Sequence, residues 1–390
     1  EEVVPSYMVN LKGDTSYCLQ DSLVECEYGE VQYVVILKKR KETKVSNSRT
    51  SRKRDAYGML KESDDDDYDE DDDDDDKDDN GDDEDANGEN GESKKGKTLK
   101  VDWDLTRDDC CVKVMGWDKL AENLEENADE VNADTFLKEV EVLEYLATCP
   151  RPADDSVRIL NRIELLYDDD NLYSFMPYYD GGNLWNRIEE TENISEPEAR
   201  YWVRQILRSL KYLHGVASIS HRDLSPENVM IHEDKCIFVD YGRCVRVPFT
   251  IDSNGNRVHK RLPIQGLGNT PGGKLPYTPP EIVHNRDGTF DMFTVDMWAV
   301  GIILFNMLVG NLPFEMPSTV DHYDAYLRRL EIRMRITREL GLVSDGALLL
   351  IRSLLNEDAR ERLTVQQALE DTWLQVDDGY SYTPREEDGL

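Results

Sequence analysis

One stretch of this chain carries too much like charge to join a hydrophobic core. From Glu62 to Glu92 the sequence contains 21 Asp and Glu residues and a single Lys, which gives −20 of the net charge of −36 carried by all 390 residues. Such a segment buries too little apolar surface to offset the entropy that it loses on ordering. We therefore predict that roughly 41–100 is a disordered insertion, and that any folded domain is assembled from the segments on either side of it.

Charge also limits the partners of this chain. The residues outside the acidic stretch carry the remaining −16, so we expect neither direct nucleic-acid binding nor binding to an anionic membrane, and we expect basic proteins as partners. The first residues, Glu1-Glu2-Val3-Val4, do not resemble a signal peptide, so we do not expect one there. The longest apolar stretch, Met297–Val309, is shorter than the ~20 residues that a membrane-spanning helix needs.

Cysteine usage and a basic segment bear on the location of the protein. The seven Cys residues are scattered, without a CxxC pair or zinc-site spacing, which favours reduced thiols in the cytoplasm or the nucleus. The basic residues Lys38–Lys41 and Arg52–Arg54 resemble a bipartite nuclear import signal. The alternative is a solvated basic stretch that lies beside an acidic one.

Hydrophobic periodicity predicts a strand-rich first half and a helical second half. A hairpin is predicted for Leu19–Lys39, a strand for Leu99–Met115 and a helix for Ala133–Ala147. Two further strands are predicted for Val157–Tyr167 and Leu172–Met176. Helices dominate the rest of the chain and are predicted at Ala199–His214, 294–309, 323–340, 345–355 and 364–373.

Four short motifs follow one another in the second half. His221-Arg222-Asp223-Leu224-Ser225-Pro226-Glu227-Asn228 is followed by Asp240-Tyr241-Gly242, then by Pro279-Pro280-Glu281 and by Asp296-Met297-Trp298-Ala299-Val300-Gly301. In this order and spacing they resemble the catalytic loop, the DFG motif, the APE motif and the D-x-W-x-x-G helix of eukaryotic protein kinases. The resemblance covers about residues 19–375.

The resemblance implies an α+β, bilobal protein kinase fold. A small β-rich N-lobe with one main helix is expected over 1–177, interrupted by the insertion. A larger and mostly helical C-lobe is expected over 178–378, followed by a C-terminal tail at 379–390. The implied activity is transfer of the γ-phosphate of ATP, with Mg²⁺, to Ser or Thr hydroxyls of proteins, because Pro226-Glu227 resembles the Ser/Thr form of the catalytic loop.

By match to the family motifs, three residues carry the chemistry itself. Asp223 is expected to accept the proton of the substrate hydroxyl. Asn228 and Asp240 are expected to bind Mg²⁺, which prefers hard oxygen ligands.

Other residues match the positions that bind the nucleotide. Lys113 matches the strand lysine that holds the α- and β-phosphates, and Glu139 matches the helix glutamate that pairs with it. Glu141 is a rival for this pairing, but positions i and i+2 of a helix do not share a face. Met176 fits the gatekeeper position of the hinge, and Tyr178 is expected to offer a backbone N–H to the adenine.

The glycine-rich loop departs from the family pattern. In the best register, Val24–Val31, only Gly29 and Val31 match, whereas Val24 and Cys26 stand where the family has Gly. Since Gly lets the backbone approach the phosphates closely, Val24, Gly29 and Val31 are expected to form a stiffer lid over the nucleotide.

The catalytic loop departs from the pattern as well. Ser225 stands two residues after Asp223, where these kinases have a Lys, and Lys274 stands where many Ser/Thr kinases have a Thr. We hypothesise a charge swap in which Lys274 supplies the cation at the γ-phosphate that Ser225 cannot supply. The alternative is an ordinary solvent-exposed loop lysine.

One predicted ion pair is structural. Arg362 resembles a late kinase arginine that pairs with the glutamate of the APE motif, here Glu281. Arg360 is the competing candidate for this pairing.

Two other functions compete with an active kinase. A pseudokinase scaffold would explain the departures at Val24 and Ser225. An acidic binding module for basic proteins would place the main role in the insertion. An active kinase is favoured because the four residues that the chemistry most needs are present, namely Lys113, Asp223, Asn228 and Asp240.

Overall fold

The structure, a computed structural model, covers most of the chain outside the acidic segment. It describes residues 7–26, 29–39, 103–126, 136–154, 157–191, 193–263, 274–284, 288–310 and 322–383. Contacts divide the chain into two units, Glu1–Lys38 with Leu105–Leu390, and Lys39–Asp104. The predicted insertion at 41–100 lies outside the described residues, as do 133–135 at the start of the predicted helix.

The N-terminal half is built on a six-stranded sheet of order β1-β2-β3-β4-β6-β5. Its strands are β1 Tyr7–Val9, β2 Thr15–Cys26, β3 Gly29–Lys39, β4 Trp103–Gly116, β5 Glu164–Tyr167 and β6 Asn171–Pro177. Strands β2 and β3 are antiparallel, with Val24 opposite Val31. They form the predicted hairpin, which begins four residues earlier than expected.

Alternation along the strands explains why these residues form a sheet. Val34 and Ile36 on β3, and Cys110 and Val112 on β4, are buried in one cluster with Phe175. Because successive strand residues point to opposite faces, residues two apart share the buried face. Burial of each such aliphatic side chain contributes about 2 kcal/mol before conformational entropy is counted.

The prediction of a strand over Val157–Tyr167 is wrong for its first seven residues, since β5 begins only at Glu164. Arg158 forms just an isolated parallel bridge to Ile237, and Val157 and Leu160 are buried in the large cluster of the C-terminal half. Val157 and Leu160 are apolar because they pack against the helical lobe. A short apolar run does not reveal which neighbour buries it.

Two helices pack against this sheet, α1 Trp117–Glu126 and α2 Phe136–Thr148. Helix α2 matches the predicted helix and buries Val140, Leu143 and Leu146, which recur at helical spacing. Helix α1 follows β4 directly and has no counterpart among the predicted elements. Its Leu120 packs with Val140 in a small cluster beside the sheet.

The C-terminal half is mostly helical, which confirms the predicted α+β class. Its helices are α3 Leu184–Thr191, α4 Glu196–Tyr212, α5 Pro280–His284, α6 Met292–Val309, α7 Tyr323–Glu339, α8 Asp345–Leu354 and α9 Val365–Leu369. Polar caps set where several of them begin. The Ser195 side chain accepts the N–H of Glu198 at the start of α4, and Thr364 forms a capping box with Gln367 at the start of α9.

Helix α6 is the centre of this half. It is long and apolar enough to cross a membrane, but 83% of its most apolar window is buried inside the protein, as expected for a core helix. A Cβ atom added to Gly301 would lie 2.7 Å from Cδ2 of Leu355. The glycine of the D-x-W-x-x-G motif therefore permits close packing of α6 against the end of α8.

Short strands lie among these helices and carry the loops of the candidate site. They are β7 Ile219–Ser220, β8 Val229–His232, β9 Lys235–Phe238, β10 Val245–Arg246, β11 Phe249–Ile251, β12 Arg257–His259, β13 Leu262–Pro263 and β14 Thr289–Phe290. They pair as β7 with β10, β8 with β9, β11 with β12 and β13 with β14.

Candidate active site

A buried carboxylate on α6 fixes the backbone of the catalytic loop. Asp296 accepts the N–H groups of His221 at 2.9 Å and of Arg222 at 2.8 Å, and its Oδ2 lies 2.8 Å from Nε2 of His214. Burial alone would raise the pKa of Asp296, but the hydrogen bonds from His214 and from the backbone of Arg222 lower it below its usual value. Arg222 has the left-handed φ of 65°, and this turn presents the next residue, Asp223.

Asp223 is buried and held by three neighbours. Its backbone carbonyl accepts Nδ2 of Asn228 at 2.8 Å, its Oδ1 accepts the N–H of Lys274 at 3.2 Å, and its Oδ2 lies 3.8 Å from Nε of Arg243. Burial and then the nearby charge of Asp240 raise its pKa to about 6, although Arg243 and Lys274 act in the opposite direction. A carboxyl group with this pKa is suited to take up a proton near neutral pH.

The two residues predicted to bind Mg²⁺ lie at the same end of the β8–β9 hairpin. Asn228 directly precedes β8 and Asp240 follows β9, and the N–H of Val239 donates to the carbonyl of Asn228 at 3.1 Å. The amide nitrogen of Asn228 donates to the carbonyl of Asp223, so the side-chain oxygen of Asn228 is the atom that could bind a metal ion. The described residues contain no cluster of three or more His, Cys, Asp or Glu for a metal. The pair nevertheless fits Mg²⁺, which takes few protein ligands beside phosphate and water.

The lysine and the helix glutamate meet as expected from the resemblance. Nζ of Lys113 on β4 lies 2.7 Å from Oε2 of Glu139 on α2, with side-chain exposures of 14% and 4%. Glu141 is exposed instead. Helical geometry therefore separates the two glutamates, and only Glu139 faces the sheet.

The residues predicted as a lid lie at the tip of the β2–β3 hairpin. Val24 is 56% exposed and Val31 is partly buried. A Cβ atom on Gly29 would lie 1.9 Å from the carbonyl oxygen of Val114, the neighbour of Lys113. Close approach of β3 to β4 therefore requires a glycine at position 29. The match of Gly29 to a phosphate-binding glycine did not reveal this packing role.

At the hinge, the backbone N–H that was predicted to bind adenine has an acceptor within the protein. Met176 pairs with Cys111 between β6 and β4, but the N–H of Tyr178 donates to the carbonyl of Asp109 at 3.3 Å. That N–H is therefore occupied, contrary to its predicted role toward adenine. The N–H of Tyr179 has no acceptor in the part of the chain that the structure describes. The ring of Tyr178 packs edge-on against Tyr33 at 5.1 Å between centroids.

Lys274 reaches the catalytic loop. Its Nζ lies 3.1 Å from Oγ of Ser225 and 3.0 Å from Oε1 of Glu227. The two positions of the hypothesised charge swap are therefore in direct contact. Lys274 is half-exposed and has two partners in the catalytic loop, Ser225 and Glu227. The alternative, an ordinary solvent-exposed loop lysine, does not predict these contacts.

The segment after Asp240 makes contacts that no motif predicted. The Arg222 side chain donates to the carbonyl of Arg243 at 3.3 Å. Farther along, Arg257 on β12 donates to the carbonyls of Gly215 at 3.0 Å and of Val216 at 2.8 Å. Contacts that depend on the path of a loop leave no spacing pattern in a sequence, so Arg243 and Arg257 were missed.

The structural ion pair involves Arg362. Its two terminal nitrogens lie 2.7 Å and 2.9 Å from the two carboxylate oxygens of Glu281, and the arginine is 3% exposed. The competing Arg360 is exposed and pairs with Asp358. The predicted pairing with the APE-motif glutamate is therefore present.

Comparison with known proteins agrees with this arrangement. An Aurora kinase of Debaryomyces hansenii is 27% identical over 292 residues, which are 74% of this chain and 61% of that protein. Serine/threonine-protein kinase SBK1 of Danio rerio is 31% identical over 242 residues, or 60% of this chain and 56% of that protein. CBL-interacting protein kinase 9 of Oryza sativa subsp. japonica is 29% identical over 215 residues, or 55% and 42%.

These matches span about half the length of the curated relatives. The family model described as a protein kinase domain matches residues 89–374, which is more than half of the chain. This match includes the catalytic loop, the Lys113–Glu139 pair and the Glu281–Arg362 pair. The chain belongs to the protein kinase family.

Proposed function

We propose that this protein is an active kinase that transfers the γ-phosphate of ATP to Ser or Thr hydroxyls of protein substrates. The observation that carries the proposal is the buried Asp223, held between Asn228, Lys274 and Arg243, with a pKa raised to about 6. Specificity for Ser or Thr rests on the form of the loop at Pro226-Glu227. The names of the relatives, among them a serine/threonine-protein kinase, support it.

In the proposed reaction, the oxygen of the substrate hydroxyl forms a bond to the γ-phosphorus while the bond from that phosphorus to the β-phosphate oxygen breaks. Asp223 takes the hydroxyl proton and ADP leaves. The protein contributes mainly position and charge, because the transferred group needs little covalent help.

Lys113 would bind the α- and β-phosphates, and Glu139 holds its ammonium in place at 2.7 Å. Asn228 and Asp240 would hold Mg²⁺, which neutralises phosphate charge when bound. These roles rest on the geometry of the residues and on membership of the family.

The nature of the substrate is a further part of the proposal. The acidic balance of the chain favours basic protein substrates. Glu227, an acid near the site, is already paired with Lys274, so selection of basic residues would depend on other acidic groups. The described cysteines are free thiols, which supports a cytoplasmic or nuclear location.

The rival is a pseudokinase that binds nucleotide and does not transfer phosphate. Two measurements on the full chain separate the two functions: the thermal shift caused by Mg·ATP, and phosphate transfer to myelin basic protein. We expect both a shift and transfer, with transfer strongly reduced in a Lys113→Met variant. A clear shift without transfer to any of several basic proteins would support the pseudokinase.

A further inference from the structure

We propose that the ammonium group of Lys274 binds the transferred phosphoryl group and neutralises the charge that develops on it. This inference rests on the proposed kinase function. It assigns to the segment before α5 the catalytic cation that the loop around Ser225 lacks.

Lys274 contacts the catalytic loop through both its backbone and its side chain. Its N–H donates to Oδ1 of Asp223 at 3.2 Å, and its Nζ donates to Oγ of Ser225 at 3.1 Å. Ser225 is fully buried two residues after Asp223. The ammonium group therefore lies beside the catalytic loop, two residues from Asp223 along the chain, while the backbone of Lys274 contacts Asp223 itself.

The turn that follows fixes the backbone of Lys274. Its carbonyl accepts the N–H of Tyr277 at 2.9 Å and the hydroxyl of Thr278 at 3.3 Å. The hydroxyl of Tyr326 on α7 donates to the carbonyl of Pro276 at 3.2 Å. Because the turn is tied to α7, the lysine extends from a defined point, which keeps the cost of positioning its charge low.

The ammonium group also remains accessible to a substrate. The side chain of Lys274 is 36% exposed and that of its partner Glu227 is 30% exposed. An ammonium group has three donors, and the described residues provide two acceptors, Ser225 and Glu227. The third donor is available to a phosphate oxygen.

The charge that develops during phosphate transfer gives this donor a catalytic role. During transfer, negative charge spreads over the three equatorial oxygens of the phosphoryl group. A cation fixed beside the base stabilises this charge more than it stabilises the separate substrates, which raises kcat rather than binding. Ser225 is uncharged and cannot supply this cation. Lys274, which contacts Ser225, can supply it.

The test moves the positive charge from position 274 to position 225, where the family has its lysine. Lys274→Thr, Ser225→Lys and the double variant are compared with the wild type for phosphate transfer, KM for ATP and thermal stability. Lys274→Thr should lower kcat about 100-fold with a smaller change in KM. The kcat of the double variant should be about tenfold higher than that of Lys274→Thr, because the lysine then extends from position 225 toward the same point.

Three outcomes would decide against parts of this account. Lys274→Thr with kcat within about threefold of the wild type would overturn the role of Lys274. A double variant that is as stable as the wild type, yet no faster than Lys274→Thr, would also overturn it. That result would show that a positive charge from position 225 does not replace Lys274, as expected if Lys274 has only a structural role. Absence of transfer in the wild type would instead contradict the proposed kinase function, and this inference with it.

Discussion

In the proposed reaction, Asp223 has to remain basic enough to accept a proton and yet be ionised near neutral pH. Burial and the charge of Asp240 raise its pKa, and the cations of Arg243 and Lys274 limit that rise. The balance of these four effects would allow the carboxyl group of Asp223 to accept a proton near pH 7 and yet be mostly ionised there.

The raised pKa predicts the pH dependence of transfer. Reaction needs the deprotonated carboxylate of Asp223, so kcat/KM should rise with pH, by about tenfold per unit below pH 6, and level off above it. The measurement is a pH–rate profile, with Mg·ATP binding followed over the same range as a control. A profile that stays level down to pH 5 would show that the base has the ordinary pKa of an aspartate.

A second residue-scale prediction concerns the two helix glutamates. Glu139→Gln should lower transfer by about 100-fold, because Lys113 loses the carboxylate that positions it 2.7 Å away. Glu141→Gln is the matched control and should have no measurable effect, since Glu141 is exposed two residues along the same helix. Equal effects of the two substitutions on the transfer rate would contradict the assigned pairing.

Residues in dense motifs were predictable, and residues that act through backbone contacts were not. The resemblance carried by the motifs predicts Asp223, Asn228 and Asp240 as site residues, and helical periodicity separates Glu139 from Glu141. The occupied N–H of Tyr178 was not predictable, because it depends on the register between β6 and β4. Arg243 was missed for a similar reason, since its contact with Asp223 depends on the path of the chain after Asp240.

At the scale of elements, the Arg362–Glu281 pair joins α5 to the segment between α8 and α9. The guanidinium group also donates to the carbonyls of Asn356 and Thr294 and lies 5.0 Å from the ring centroid of Trp298. One arginine therefore connects α5, α6 and the segment before α9.

This geometry predicts a large loss of stability on removal of the arginine. Arg362→Ala leaves the carboxylate of Glu281 without its buried partner and should lower the free energy of unfolding by about 3–5 kcal/mol. Arg360→Ala, which removes an exposed arginine, should leave the midpoint of urea unfolding unchanged. Equal midpoints for the two variants would show that the buried pair does not stabilise the lobe.

Elements with long periodic patterns were predicted best. Helices α2, α4, α6 and α7 begin within three residues of their predicted starts. Helix α9 ends at Leu369, four residues before the predicted end, and the side chain of Asp371 accepts the N–H of Trp373 just beyond it. Such local side-chain turns compete with a helix. The error at 157–163 arose because periodicity does not reveal the packing partner.

At the scale of the whole molecule, the acidic segment interrupts the sequence between two neighbouring strands. Cys110 contacts the carbonyl of Val34, and Thr106 donates to the carbonyl of Ile36 at 3.0 Å, so β3 and β4 run antiparallel. A connection between antiparallel neighbours begins and ends at the same end of the two strands, and a short turn can span that distance.

We therefore expect a variant lacking residues 41–98 to keep the transfer activity of the full chain. The remaining residues between β3 and β4 are enough for a hairpin connection. Transfer and binding to a basic protein are measured separately on the full chain and on the deletion. Retained binding with lost transfer, or loss of both, would show that the segment contributes to the kinase domain itself. Lost binding with retained transfer would identify the insertion as a separate binding module.

The central claim is that Asp223 acts as the base of a phosphoryl transfer, and single-turnover kinetics test it most directly. The full chain is mixed with Mg·ATP and a basic acceptor protein, and phosphorylated acceptor is followed for the wild type and for Asp223→Asn, with nucleotide binding measured for both. The account predicts equal nucleotide binding and a transfer rate at least about 100-fold lower in Asp223→Asn. Transfer at the wild-type rate in this variant would contradict the account, as would a wild type that binds Mg·ATP and transfers nothing.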